Sequence, residues 1–299
     1  MKQKIVDTSV ASLWTAPESP RTFDQRILSN PVDLKTWLSD MDYEQRLSLC
    51  TENLVQSQAL YGTKVKVLEE RGEWLKVVIP DQPSSKDSRG YPGWMPSVQL
   101  SDADEDKNEE KVAVVNRPTA ILQDPASEWE LEVSFQTRLP VEEENENLVM
   151  VRTPSGTGQL RREDILCEHS GQQRSMSGKE IVNAGEQFIG LPYLWGGMSG
   201  FGYDCSGFAH MMHRSVGLVI PRDAHDQAEE GQAVEREQLA PGDLLFFAYE
   251  EGKGRVHHVA IYYGDGKMIH APNTGKSVEV ISFPGSKYEI EFSGARRYW

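Results

Sequence analysis

The sequence predicts an α+β protein. A β-rich, internally repeated N-terminal part precedes a domain that runs helices first and an antiparallel sheet afterwards. Alternating apolar and polar runs around polar turns fill residues 55–100, and a fainter version of the pattern recurs over 111–167. A capping signal at Ser177-Gly178-Lys179-Glu180 then opens a stretch of helical spacing, and five strand-like runs follow from residue 242. With 299 residues the chain has room for two or three domains.

Charge narrows the classes of partner. A formal net charge of −15 argues against nucleic acid and against an anionic membrane surface. No run approaches the length of a membrane span. Residues Met1 to Thr8 begin basic but lack the apolar core of a signal peptide. Cys50, Cys167 and Cys205 are too few, and odd in number, for a disulfide framework. A cytoplasmic protein with reduced thiols is therefore expected, although a trimmed leader would leave the same sequence.

Residues 4–14 alternate as one strand, interrupted between Pro17 and Pro20. From Asn30-Pro31 the spacing Leu34, Trp37, Leu38, Met41 predicts a helix, with further helix through Leu47. Ala59-Leu60-Tyr61-Gly62 leads into Val65 and Val67, and Gly72-Glu73-Trp74-Leu75 into Val77 and Val78. These two runs read as a hairpin, and Gly90-Tyr91-Pro92-Gly93-Trp94 follows the polar loop 80–89. Over residues 55–100 this order resembles a bacterial SH3-like barrel, which makes the helical segment at 31–50 an insertion. The first domain is thus expected at 1–100, followed by an acidic linker at 101–110. Val133 to Val141, Asn147 to Val151 and Gly158 to Ile165 echo the first barrel's runs and predict a second, divergent barrel at 111–170.

The helix that opens at Ser177 runs to about Phe188, where Gly190 and Pro192 end it. After the glycine-rich run Trp195 to Gly200 comes Tyr203-Asp204-Cys205-Ser206-Gly207-Phe208. The spacing of Phe208, Met211 and Met212 places Cys205 in the first turn of a helix. Unpaired N–H groups and the helix dipole there would favour a thiolate, the form in which cysteine is a nucleophile. A polar loop is expected from Pro221 to Gln238, then strands at 242–248, 257–263, 267–271, 277–282 and 290–297.

A nucleophilic cysteine needs a base, and the base an orienting partner. His210 and His213 lie five and eight positions beyond Cys205, pointing away from its turn, and read as packing or solvent-facing. His169 falls in a linker. His257 and His258 open a strand, where adjacent side chains face opposite ways. Small Ala260 shares the face of His258 and leaves room there, which favours His258. His270 converges with His258 only if the connection between their strands has an odd residue count or a bulge. A three- or five-residue loop, or a bulge, is therefore expected around Gly264.

Tyr193-Leu194-Trp195-Gly196-Gly197, Asp204-Cys205-Ser206-Gly207-Phe208, Pro221-Arg222-Asp223, Gln227, Pro241-Gly242-Asp243-Leu244 and His258-Val259-Ala260-Ile261-Tyr262 to His270-Ala271 stand in this order. Together they make residues 176–299 resemble an NlpC/p60-type cysteine peptidase, a papain-like fold that cleaves bacterial cell-wall peptides. The resemblance implies Cys205 as nucleophile, His258 as base, His270 as its orienter and Tyr193 as an oxyanion donor. Asp204 and Ser206 flank the cysteine and are implied in substrate binding. Ala224 stands where many relatives have serine, which leaves Asp223 or Arg222 to make that substrate contact.

Two SH3-like barrels before such a domain resemble the intracellular γ-D-glutamyl-L-diamino-acid endopeptidases of wall-peptide recycling. These act on murein tripeptides or longer stem peptides with a free N-terminal L-Ala. A carboxylate must then meet the ammonium while longer chains are blocked. Asp204 could supply the charge, and Tyr91 and Glu52 a wall.

Cys50 and Cys167 read as small inert hydrophobes, Tyr91 equally as barrel core, and Glu52 also as a surface carboxylate. No cofactor is expected, and no metal, because Cys205, His258 and His270 lack paired-ligand spacing for zinc. The competing readings are an exported endopeptidase anchored to intact wall by its barrels, and an inactive SH3-based binding protein.

Overall fold

Seven short strands in the first barrel and seven in the second follow the same winding. The computed structural model describes residues 2–103, 110–169 and 176–299. In the first barrel β1 (Gln3–Val6), β2 (Val10–Trp14), β3 (Val55–Leu60), β4 (Lys64–Arg71), β5 (Trp74–Ile79), β6 (Tyr91–Pro96) and β7 (Leu100–Asp102) lie in the order β3-β2-β6-β5-β4-β1-β7. The second has β8 (Lys111–Val115), β9 (Thr119–Gln123), β10 (Glu130–Ser134), β11 (Arg138–Glu144), β12 (Leu148–Thr153), β13 (Gly156–Arg161) and β14 (Ile165–His169). Their order, β10-β9-β13-β12-β11-β8-β14, is the first order with seven added to every strand. The faint echo in the sequence thus corresponds to a repeated topology.

Two connections differ between the copies. The β2–β3 connection holds a 3₁₀ turn (Thr22–Ile27) and the helices α1 (Leu34–Asp40) and α2 (Tyr43–Thr51), so the insertion is longer than the 31–50 expected. Buried Asp24 pins it, accepting from Trp37 Nε1 at 2.9 Å and pairing with the Arg21 guanidinium at 2.8 Å. The β5–β6 connection spans residues 80–90, whereas Pro154 and Ser155 suffice in the second barrel.

Several expectations shift in register. Residues 4–14 form two strands separated by a bend at Thr8 and Ser9, beside which Asp7 accepts from the Ser101 hydroxyl at 2.5 Å. Ser101 and Asp102 belong to β7, and residues 104–109 of the expected acidic linker lie outside the described residues. His169 ends strand β14, where it pairs with Lys111, and is not in a linker. The second core gathers Val115, Leu122, Val133, Val149, Val151 and Leu160, with Tyr61 of the first barrel packed into it.

The chain divides into two units. Met1–Pro80, Pro92–Gln173 and Ser199–Phe201 make the first, while Asp81–Tyr91, Arg174–Met198 and Gly202–Trp299 make the second. The long β5–β6 connection thus belongs to the second unit. There the Pro83 carbonyl accepts from the Arg222 amide at 2.9 Å, and the Ser85 amide donates to Asp226 at 3.0 Å.

The second unit contains α3 (Gly178–Glu186), the two-residue strands β15 (Met198–Ser199, its second residue counted with the first unit) and β16 (Gly202–Tyr203), α4 (Cys205–Ser215) and α5 (Ala224–Glu229). Then follow β17 (Gln232–Ala233), β18 (Leu244–Ala248), the turn α6 (Tyr249–Gly252), β19 (Val256–Gly264), β20 (Lys267–His270), β21 (Glu279–Ser282), α7 (Lys287–Glu291) and β22 (Phe292–Arg297). The antiparallel sheet runs β17-β22-β18-β19-β20-β21. Helices α5 and α7 stand where a polar loop and part of a strand were expected, since five- and six-residue helices are too short for periodicity to reveal.

Candidate active site

Cys205 opens α4, and Asp204 is its N-cap, accepting from the Gly207 amide at 2.7 Å. Glycine is required at 207, where a Cβ would lie 2.1 Å from the Gly197 carbonyl oxygen. On β19, the backbone N–H of Val259 donates to the Cys205 sulfur, so the helix start abuts the strand one residue from His258.

The β19–β20 hairpin brings the histidines together. Its turn is the two-residue Asp265-Gly266, but the register slips between Tyr262 and Gly264, leaving Tyr263 as a bulge. The expected bulge near Gly264 is present, and it places His258 and His270 on one face. His258 Nε2 lies 2.8 Å from His270 Nδ1. The His258 ring stacks on Phe247 at 5.7 Å and is tilted against Tyr288 at 5.2 Å, and Tyr288 also meets His270 edge-on at 5.1 Å. His257, on the opposite face, stacks on Tyr249 at 4.3 Å and lies 3.5 Å from Glu291.

Burial, with the Asp204 carboxylate, pushes the Cys205 thiol up to about 12, against the N–H groups of Val259 and Ser206 and the Arg222 charge. The sequence expectation of a thiolate stabilised by the helix end is therefore overridden at rest. Part of Cys205 stays accessible, so a substrate can reach it. Burial, then the neighbouring His270, drives His258 well below its ordinary value. The resting pair is a thiol and a neutral imidazole, and His258 can take the thiol proton during attack.

Asp204 is committed to a buried network. Arg222, 1% exposed, forks onto it with Nη2–Oδ2 at 2.7 Å and Nη1–Oδ1 at 3.1 Å, and donates to the Ser206 hydroxyl at 2.9 Å. Burial alone would lower Arg222, but the Asp204 carboxylate more than offsets this and holds it above its ordinary value. Asp204 is thus already matched by a cation, so its charge is poorly placed to receive a substrate ammonium.

Asp223 also meets a cation, but one that is partly exposed. It accepts from the Tyr91 hydroxyl at 3.0 Å, and Lys86 sits 3.0 Å away. Burial first, then Asp223, pushes the Tyr91 hydroxyl far above its ordinary range, so it stays a donor. Tyr193 is buried and its backbone bridges to Tyr203, two residues before the cysteine. Glu52 is exposed at the end of α2 in the first unit. Among the described residues Asp223, His225 and Asp226 group atoms that could serve as metal ligands.

His210 and His213 are fully buried and not solvent-facing, with Nδ1 atoms 2.7 Å from the Ile220 carbonyl and 2.8 Å from that of Ala209. Burial lowers His210 to about 3 and His213 to about 4. The unfolded chain takes up these protons near pH 6.5 and the folded chain does not, so stability is lost as pH falls below 6.5. With the slope approaching about 1.4 kcal/mol per unit for each group only once the unfolded imidazole is mostly protonated, the two cost about 3 kcal/mol between pH 6.5 and 5. Urea unfolding at the two pH values should show that loss, and His213→Gln should flatten the slope.

Sequence reasoning missed Tyr288 and Lys86, because neither carries a motif signal and both arrive from connections. It also missed the fork of Arg222 onto Asp204, which joins residues from separate elements.

A model of the NlpC/P60 family matches residues 190–297, and one of the YKFC SH3b2 domain matches residues 115–166. Over 292 residues the chain is 46% identical to the gamma-D-glutamyl-L-lysine dipeptidyl-peptidase of Bacillus subtilis, covering 98% of this chain and 97% of that protein. A crystal structure of an NlpC/P60 family protein from Bacillus cereus has a TM-score of 0.95 at 44% identity, covering 99% of each chain. Similarity to the murein DD-endopeptidase MepH of Escherichia coli is 37% over 123 residues, 40% of this chain and 45% of that protein.

Proposed function

Because the chain belongs to the NlpC/P60 family of cysteine peptidases, we propose that it hydrolyses the bond between γ-D-Glu and the diamino acid of murein peptides, in wall-peptide recycling. The observation that carries this reading is the His258–His270 pair at 2.8 Å beside the start of the Cys205 helix. The near-full-length likeness to a gamma-D-glutamyl-L-lysine dipeptidyl-peptidase supports the choice of bond.

In this mechanism His258 takes the Cys205 proton as sulfur attacks the γ-carbonyl of D-Glu. The Cys205 backbone N–H and the Tyr193 hydroxyl stabilise the oxyanion. Protonated His258 gives its proton to the leaving amine of the diamino acid, and the C–N bond breaks. Water, activated by the same imidazole, hydrolyses the thioester and regenerates the thiol. No metal or cofactor is required at any step.

The free N-terminus of L-Ala is read by carboxylate and hydroxyl together. Asp223 receives the ammonium once Lys86, 37% exposed, moves aside, and Tyr91 keeps the carboxylate in place. Asp204 and Ser206 hold the local backbone for the substrate. Among the described residues no helix is long and apolar enough to cross a membrane, and a cytoplasmic location suits an enzyme of free peptides.

Product analysis on L-Ala-γ-D-Glu-L-Lys and its N-acetylated form tests the reading. Acetylation removes a charge and adds bulk, so kcat/KM should fall by at least about 100-fold, the loss of a charge-assisted contact of ~3 kcal/mol. Equal cleavage of both would indicate an endopeptidase of intact wall.

A further inference from the structure

His270 Nε2 is buried and makes no hydrogen bond among the described residues. The carboxylate facing it is Glu279 on the neighbouring strand β21, paired directly opposite His270, with Oε1 3.6 Å from Nε2. Its side chain is 45% exposed, so no packing demand explains a glutamate there. That distance exceeds a hydrogen bond, so the contact is electrostatic.

We propose that Glu279 is a positioning residue that sets the tautomers of both imidazoles and so aims the lone pair of the base at Cys205. The inference rests on the proposed roles of Cys205 and His258. A carboxylate beside His270 Nε2 favours the proton on that nitrogen. His270 Nδ1 is then an acceptor, and the 2.8 Å contact requires His258 Nε2 to be the donor. His258 Nδ1 is left with its lone pair, the state a base must have before attack. When His258 becomes an imidazolium, the same carboxylate stabilises a charge shared along the pair.

The other charged groups around the pair act differently. Lys287 opposes positive charge on both rings and lies 4.9 Å from the centroid of the Tyr288 ring. Glu291 lies against His257 and, with Glu279 and the Cys205 sulfur, faces the hydroxyl of Tyr288. Among the described residues Glu279 is the carboxylate within 4 Å of a pair nitrogen.

Glu279→Gln keeps the shape and removes the charge. Two measurements on the full chain test the proposal: kinetics on the murein tripeptide, and imidazole ¹⁵N shifts of the resting enzyme. Wild type should show His258 and His270 both protonated on Nε2. In Glu279→Gln, His270 should shift toward the Nδ1–H form and kcat should fall about 10- to 100-fold, with KM within about threefold. Glu279→Asp keeps the charge and should recover most of kcat. Unchanged tautomers, a kcat within twofold of wild type, or a rise in KM alone would overturn the assignment, the last pointing to substrate binding. The ¹⁵N readout needs no turnover, so an inactive wild type would refute the proposed reaction while still deciding the role of Glu279.

Discussion

Cys205→Ala should abolish hydrolysis of the murein tripeptide, lowering kcat by at least roughly 10⁴-fold while the protein stays folded. Loss of a nucleophile that acts together with its base costs nearly all of the covalent route, leaving only the contribution of binding and the oxyanion donors. The substitution removes one sulfur from a partly accessible position, so thermal stability should change little. His258→Ala should fall to a similar level, and the two losses should not add, because each residue is useless without the other. Product chromatography after prolonged incubation is the measurement. Turnover by Cys205→Ala within tenfold of wild type would rule out the thioester route.

Arg222→Met should be the most destabilising single change, at about 3–5 kcal/mol. The cost arises from what is left behind. Asp204 would remain 6% exposed with its fork of cationic donors removed. Its other partners, the amides of Gly196 and Gly207 and the Ser206 hydroxyl, are neutral and cannot balance the charge. Arg222→Lys should restore little, since an ammonium cannot span both carboxylate oxygens and the Ser206 hydroxyl together. Activity should fall as well, because Asp204 caps the helix whose first residue is Cys205. Urea unfolding of the single variants and of the Arg222→Met, Asp204→Asn pair gives the coupling directly. A cost below about 1 kcal/mol would mean the network is dispensable.

The fold class was legible because its signals are local. Alternation marked the barrel strands, and Ser177, which accepts from the Glu180 amide at 3.3 Å, announced α3. Cys205 and His258 were legible as candidates, since a cysteine opening a helix and a histidine opening a strand are patterns within a few positions, while the role of His270 came from the motif resemblance. Even the bulge at Tyr263 followed from parity, because a two-residue turn alone would have put His258 and His270 on opposite faces.

What stayed hidden depends on groups far apart in the chain. The thiol's resting state could not be read from its helix position, because burial and the adjacent Asp204 outweigh the N–H groups. Asp204 looked like a charge available to substrate until Arg222, 18 positions on, was found holding it.

By itself the sequence predicted that a repeated β-rich part precedes an α+β domain, and its motif resemblance singled out Cys205, His258 and His270 as the candidates for its chemistry. Short-range pattern suffices for the elements and for the faces on which these residues lie, since strand parity and helix entry involve neighbouring residues. Only the tertiary structure decided that the loop 81–91 belongs with the peptidase unit and delivers Tyr91 and Lys86 to Asp223, and that Glu279 faces His270. Those contacts join residues whose charges acquire their strength only when the fold removes water between them.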